Sequence, residues 1–316
     1  MFLYNRVNKK ELRKKVASEP FRRITLSFYR YVHIDNPEKL RDDLYAYWQS
    51  LKVYGRIYIA REGINAQMNV PEHSILDFIS HLYNNPFFKD VPIKQAVEDD
   101  SKSFFALKIK VKNKLVADGL KENTFDPGDT GKRLDAVTFH NMTDEAETVL
   151  VDMRNRYESE VGHFKNALCP DVKTFRESLP KTLKQIEDKK DKNILLYCTG
   201  GIRCEKASAY FKHHGFKNVY QLDGGIIQYA KEIEKLGMQS KFIGKNFVFD
   251  ERMGERITPD VLGKCHRCGN SNDRQVNCTL DSCHTLMIQC EKCAEEMKGC
   301  CSEKCFNEYI KSAEAC

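Results

Sequence analysis

The stretch from residue 194 to residue 211 restricts the possible folds more than any other. Ile194-Leu195-Leu196-Tyr197 is a continuous apolar run that leads directly into Cys198-Thr199-Gly200-Gly201-Ile202-Arg203-Cys204. Beyond Glu205, the residues Ala207, Ala209, Tyr210 and Phe211 read as a helix. Hydrophobicity that does not alternate predicts a strand buried on both faces, as in a parallel sheet. A second run, Thr148 to Met153, has the same character and predicts a companion strand. Cys198 then sits where a buried strand turns into a helix, at the carboxyl end of the sheet, where open α/β folds take their ligands.

The residues of that turn set its chemistry. Gly200 and Gly201 let the backbone curl so that successive N–H groups point inward, and the following helix adds partial positive charge. Both favour a thiolate over a thiol, and Arg203 brings a full positive charge to the same cradle. Cys198 is therefore the candidate nucleophile, with Thr199, Gly200, Gly201, Ile202, Arg203 and Cys204 as its loop. A cysteine that merely ends a core strand is the plainer alternative, but two glycines, an arginine and a second cysteine follow too closely for that reading. Cys204 could resolve a sulfenate or persulfide on Cys198, or simply pack. Asp152 and Arg154 are expected to fix the strand end, His163 to cap a turn and Cys169 to lie in the core.

Nine of the 13 cysteines fall between Cys265 and Cys305, in a stretch with few large apolar residues. Such a segment cannot build its own core and has to be held by something else. No apolar run approaches the roughly 20 residues needed to span a bilayer, and the opening residues lack the pattern of a secretory signal. A cytoplasmic protein is expected, and its cysteines read as metal ligands or reactive thiols rather than disulfides. Cys265-x-x-Cys268 and Cys290-x-x-Cys293 have the spacing that places two thiolates on one tetrahedral ion. The whole set suggests one or two structural zinc ions. In the paired arrangement Cys265, Cys268, Cys290 and Cys293 hold one, and Cys278, Cys283, Cys301 and Cys305 the other, with Cys300, His266 and His284 as possible substitutes.

Residues 22–113 predict a small α/β unit in the order β-α-β-β-α-β, with strands over 23–33, 56–61, 64–70 and 104–111 and helices opening at Pro37 and Pro71. That order is the ferredoxin-like split arrangement. Its last strand carries Lys108, Lys110 and Lys112 on one face and Leu107, Ile109 and Val111 on the other. The lysine stripe could track a phosphate backbone or guard an exposed sheet edge against aggregation. The net charge of +6 is concentrated at the start, where residues 1–30 hold nine Lys and Arg against Glu11 and Glu19. A basic arm over 1–21 is suited to nucleic-acid phosphates. A turn-rich connection over 114–132, a second α/β unit over 133–237 and a cysteine-rich module over 238–316 complete the expected organisation.

The second unit carries a specific signature. Val151-Asp152-Met153-Arg154, Tyr157-Glu158 and Gly162-His163-Phe164-Lys165-Asn166-Ala167 resemble the opening of rhodanese domains. Leu195-Leu196-Tyr197-Cys198 with Gly200 to Cys204 resembles their active-site loop, and Val219 to Ile226 their closing strand and turn. Related phosphatases place five residues between cysteine and arginine; here four separate Cys198 from Arg203, as in the sulfur-handling branch.

The architecture as a whole narrows the resemblance. Glu62-Gly63-Ile64-Asn65 stands in the first unit, Cys198 to Glu205 in the second, and Phe247-Val248-Phe249-Asp250-Glu251-Arg252 precedes the cysteine-rich tail. Together they resemble the bacterial tRNA uridine-34 hydroxylases over nearly the whole chain. The resemblance implies a ferredoxin-like (acylphosphatase-like) α+β domain, a central rhodanese α/β domain with a parallel sheet and a zinc-type tail. It also implies hydroxylation of the wobble uridine to 5-hydroxyuridine, with molecular oxygen as co-substrate and the tRNA anticodon loop as partner. No flavin or nicotinamide motif is recognisable, and the oligomeric state is not legible. A sulfurtransferase carrying a persulfide on Cys198 is the second reading, and a non-enzymatic RNA-binding or redox-sensing adaptor the third.

Overall fold

The computed structural model describes residues 8–120 and 125–314. Arg6 of the expected basic arm lies outside the described residues. The rest of the arm contains a helix, α1 (Lys9–Ala17), whose Arg13 pairs with Glu251 and lies 5.4 Å above the Phe105 ring.

The first unit comprises β1 (Arg23–Tyr31), α2 (Pro37–Ser50), β2 (Tyr54–Ala60), β3 (Gly63–Pro71), α3 (Ile75–Asn84), β4 (Lys94–Gln95) and β5 (Leu107–Val111). Asn36 caps α2 by accepting the Lys39 N–H, and Pro37 occupies the first turn, where its missing N–H costs nothing. Strand alternation sends Leu26, Phe28, Ile57, Ile59, Ala66 and Met68 to one side of the sheet. There they bury against Leu44 and Trp48 of α2 and Phe78 of α3. Gly63 is required in the β2–β3 turn: its φ is +136°, and a Cβ would stand 2.0 Å from the Arg30 carbonyl oxygen.

The sheet order is β4-β1-β3-β2-β5, with β5 parallel to β2. This corrects one expectation. The strand predicted over 104–111 does not close the ferredoxin-like core beside β1; that place is taken by the two residues of β4. Instead, Leu107–Val111 adds an outer strand beside β2, the five-stranded acylphosphatase-like variant. A second correction concerns Arg23. Counted with the basic N-terminal residues, it is only 2% exposed, pairs with Glu19 at 2.6 Å and lies 4.0 Å over the Tyr54 ring. It is a core cation, not a phosphate contact.

The second unit contains β6 (Lys132–Leu134), α4 (Ala136–Met142), β7 (Thr148–Asp152), α5 (Arg156–Ser159), β8 (Gly162–Phe164), α6 (Phe175–Gln185), β9 (Asn193–Tyr197), α7 (Ile202–His213), β10 (Asn218–Leu222) and α8 (Gly225–Lys235). Strands β6-β10-β9-β7 form an all-parallel sheet whose inner strand β9 is fully buried from Ile194 to Tyr197. The chain then returns through β11 (Phe242–Asn246), which pairs with β8 on one side and β12 (Glu255–Arg256) on the other. The tail holds a hairpin of β13 (Gln275–Asn277) and β14 (Leu286–Ile288), followed by α9 (Glu291–Glu296) and α10 (Glu303–Glu314). Its apolar contact with the rest is small, with Ile288 against Val161 and Phe247.

The first two units are fastened to each other by buried charge. Lys206 of α7 reaches Glu62 at 2.7 Å and Asp118 at 2.9 Å. Tyr29 of β1 donates to Glu205 at 2.8 Å, and Glu205 also receives Arg133 and Gln221. Both anchors hold the start of α7 against the open face of the first sheet.

Candidate active site and cysteine centres

Cys198 lies one residue past β9, and α7 begins after Gly201, whose φ of +101° makes the turn. The Gly201 N–H donates to Cys198 Sγ at 3.1 Å. The closing turn holds the loop from the other side. Ile226 and Ile227 donate to the carbonyls of Cys198 and Thr199, and Gly225 leaves room for them, since a Cβ there would meet both oxygens at 2.6 Å. Burial pushes the Cys198 thiol up. The Cys204 thiol as donor, the Arg203 charge and the N–H groups of Arg203 and Gly201 outweigh it and bring Cys198 down to about 6. Burial and the adjacent Cys198 push Cys204 well up, so it stays protonated and can donate.

Arg203 is in the cradle, but its charge is not free. Its two terminal nitrogens meet both oxygens of Glu158 at 2.6 and 2.8 Å, and it reaches Thr199 Oγ1 at 3.3 Å. Glu158 is fully buried and closes the capping box of α5 with Asn155. Asp152 and Arg154 form a second buried pair at 2.7 Å, with Arg154 also donating to the Gly162 carbonyl. Against expectation, His163 lies within β8 rather than capping a turn, and Cys169 is only half-buried because it follows Leu168 at the sheet's rim.

Above Cys198 opens a cavity of about 370 Å³. Its far wall is the open face of the first sheet, with Ser27, Tyr29, Arg56, Asn65 and Gln67, and Phe249 lines it from the segment after β11. Lys108 and Lys110 are exposed on this same sheet face, in register with Arg56 and Tyr58. Lys112 follows the end of β5, its Nζ 5.7 Å above the Tyr58 ring.

In the tail, Cys265, Cys268, Cys290 and Cys293 form one group and Cys278, Cys283, Cys301 and Cys305 another, each with its sulfurs within 4.8 Å of one another. Four thiolates at about 2.3 Å from a tetrahedral zinc stand about 3.8 Å apart. The sulfur separations of 3.8 Å for Cys268–Cys290, 3.5 Å for Cys283–Cys301 and 3.6 Å for Cys301–Cys305 fit such an ion. The two groups share a detail: the Cys290 N–H points at Cys265 Sγ and the Cys301 N–H at Cys278 Sγ, each at 3.4 Å. His266 instead faces Glu160, and neither His284 nor Cys300 belongs to a group.

The chain's relatives accord with this arrangement. Residues 23–115 match the model of a UPF0176 acylphosphatase like domain, 135–232 a rhodanese-like domain and 243–306 a rhodanase C-terminal segment. A tRNA uridine(34) hydroxylase of Photorhabdus laumondii is 51% identical over 97% of this chain and 87% of its own length. That of Leptospira interrogans is 53% identical over 96% and 83%. This chain belongs to the tRNA uridine(34) hydroxylase family. The enzyme of that name from Salmonella typhimurium is 49% identical over 97% of this chain and 88% of its own. Among the described residues of this family member, no helix is long and apolar enough to cross a membrane.

Several site residues of this hydroxylase-family chain escape a reading of the sequence. Glu158 stands in the sequence only as part of the Tyr157-Glu158 signature, not as the partner of Arg203 across 45 positions. Asn65 stands in the Glu62-Gly63-Ile64-Asn65 motif with no role legible from it, and Tyr29 and Gln67 read simply as the polar phase of two alternating strands. Their signal was there, because that face alternates with a fully apolar one, but nothing local says what the face meets.

Proposed function

We propose that this chain hydroxylates uridine 34 of tRNA to 5-hydroxyuridine, with molecular oxygen as co-substrate and Cys198 as the reacting residue. One observation carries the assignment of the site: a low-pKa thiolate at the floor of a base-sized cavity, in a member of the tRNA uridine(34) hydroxylase family. The wobble base lies in a single-stranded loop and can be splayed into a pocket at low cost. The compartment implied by such a substrate is the cytoplasm.

C5 of uracil is a poor nucleophile. Addition of the Cys198 thiolate at C6 forms a C–S bond and makes C5 an enolate carbon. Oxygen then adds at C5 as a hydroperoxide, and an external donor, two thiols going to a disulfide, supplies the two electrons and two protons that take its second atom to water. Loss of the C5 proton and the C6–S bond releases 5-hydroxyuridine and the thiolate. Gly201 and Cys204 hold the sulfur as thiolate before addition and after release. Exposed Lys108, Lys110 and Lys112, with the basic residues around α1, hold flanking phosphates. Each cysteine group of the tail holds one zinc as a structural ion, since closed four-thiolate sites leave no position for a substrate. A persulfide on Cys198 would use the same loop, but a sulfurtransferase has no need of the polar sheet wall opposite it.

Mass analysis of tRNA nucleosides from cells lacking the chain tests the reaction. The wobble 5-hydroxyuridine should disappear and return with the wild-type gene; an unchanged nucleoside profile would refute it. For the mechanism, an anticodon stem-loop with 5-fluorouridine at position 34 should form a Cys198-dependent covalent complex. If none forms while uridine turns over, addition at C6 is wrong.

A further inference from the structure

The face of the first sheet that looks towards Cys198 is built in two rows. Register pairs Ser27 with Gln67 and Gln67 with Arg56, and Arg56 with Lys108; the next row runs Tyr29, Asn65, Tyr58, Lys110. One end of this face is saturated. Asn69, two residues beyond Gln67 on the same side of β3, is fully buried, donates to the Phe104 carbonyl at 2.9 Å and to Ser103 at 3.0 Å, and accepts from Arg23. Thr25 likewise bonds to Asp99 and Ser103, and Tyr29 is committed to Glu205. The centre differs. The side-chain amides of Asn65 and Gln67 are half-buried, line the cavity over Cys198 and have no hydrogen-bond partner among the described residues. A half-buried amide that meets no partner among the described residues is free to meet a ligand.

We propose that Asn65 and Gln67 read the Watson–Crick edge of the target base, an assignment that rests on the cavity being the seat of wobble uridine. A carboxamide carries one acceptor and a donor pair side by side. Uracil offers N3–H flanked by two carbonyl oxygens, so one amide can accept from N3–H and donate to a neighbouring oxygen. The flipped base is thus held by its polar edge on β3, opposite the sulfur. Arg56, which carries only donors, stands beside Gln67; it gives one N–H to the Phe249 carbonyl at 3.3 Å, and its remaining donors suit a carbonyl oxygen rather than the amino group that cytosine has in its place. Lys108 lies two strands from Gln67, roughly 10 Å at the usual strand spacing, and is placed for a phosphate next to that base rather than for the base itself. The sheet is then a reader whose centre specifies and whose edge positions.

The test measures binding of anticodon stem-loops carrying uridine or 3-methyluridine at position 34, by fluorescence anisotropy. The wild-type chain should lose about tenfold or more on methylation, the loss expected of one broken base-edge pair. Asn65→Ala and Gln67→Ala should each weaken uridine binding, and the double variant should bind the two stem-loops equally. Neither amide has a partner among the described residues, so melting temperatures should not change, and the methylated substrate probes the contact without altering the protein at all. Unchanged uridine binding in the double variant, or a methylation penalty that persists there, overturns the proposal. Turnover of uridine by the wild-type chain is scored in the same samples. Coupled binding without turnover refutes the hydroxylase reading and leaves the amide reader; turnover without coupling removes the reader alone.

Discussion

Cysteine serves this chain in two opposite ways. In the loop after β9, one sulfur is surrounded by donors that are not sulfur ligands of a metal: the Gly201 N–H, the protonated Cys204 and Arg203, whose charge is shared with Glu158. That sulfur faces a cavity. In the tail, eight sulfurs face one another in two groups of four, and the polypeptide around them has little apolar contact of its own. On the proposed reading the same side chain is a reactive anion where backbone amides stabilise it singly, and would be a structural clasp where one ion neutralises four at once. Placement separates the two: one sulfur lies at the end of a buried strand, the others on knuckles of a segment with little apolar contact.

The comparison can be broken most severely at the tail. Removing metal with a strong chelator should abolish protection of residues 265–305 in hydrogen exchange, since each structural zinc contributes on the order of 10 kcal/mol of folding free energy. The parallel sheet should keep its protection, and metal analysis before chelation should find about two zinc ions per chain, one for each group. A metal-free chain with an ordered tail would mean that packing holds it. At the other centre, Glu158→Gln leaves Arg203 buried with half its partner. It should cost about 3 kcal/mol of stability, read as a lower unfolding midpoint in urea, whereas an unchanged midpoint would mean that the pair is not buried in solution.

A smaller effect sharpens the electrostatic half of the contrast. The thiolate is the reacting form, so alkylation of Cys198 by iodoacetamide should rise with pH through about 6 and level off above it. Cys204→Ala removes a donor to the thiolate and should move that midpoint upward. The same shift has a sign for stability. Between about 6 and the thiol's ordinary value of 9.0 the unfolded chain binds the extra proton, so raising the pH through this window favours the fold. Acidification through 6 loses that contribution. The smallest effect belongs to the lysine edge: Lys108→Ala and Lys110→Ala should each reduce the salt dependence of tRNA binding by about one unit of slope. A slope identical to wild type would assign those lysines to edge protection instead.

What could be read without coordinates was whatever the chain writes locally. Strand, glycine turn and helix are consecutive at 194–211, and the paired knuckles at 265–268 and 290–293 state their own geometry. The division of eight cysteines into two groups also agrees with the spacing. Long-range facts were silent. Nothing near Arg203 announces that Glu158 will neutralise it, and nothing in Arg23 distinguishes a cation destined for Glu19 and the Tyr54 ring from one bound for solvent. The order of the first sheet was missed because Lys94 and Gln95, which fill the edge beside β1, are too few to show any periodicity. The stronger alternating pattern at 107–111 was assigned to that place although it pairs elsewhere. The open amides of Asn65 and Gln67 are illegible for a different reason: an amide without a partner shows itself only once its neighbours are placed, even where, as with Asn65, the residue belongs to a recognised motif.

The central claim is that Cys198, and none of the other cysteines, performs the chemistry on the wobble base. The decisive measurement incubates purified wild-type protein and Cys198→Ser with unmodified tRNA and an added thiol reductant as the two-electron donor, under isotopically heavy oxygen gas, followed by mass analysis of the nucleosides. The account predicts 5-hydroxyuridine bearing one heavy oxygen atom with the wild-type chain. It predicts a loss of at least about 10³-fold in the variant, whose zinc content and unfolding midpoint should remain close to wild type. Labelled 5-hydroxyuridine formed at the wild-type rate by Cys198→Ser would contradict it.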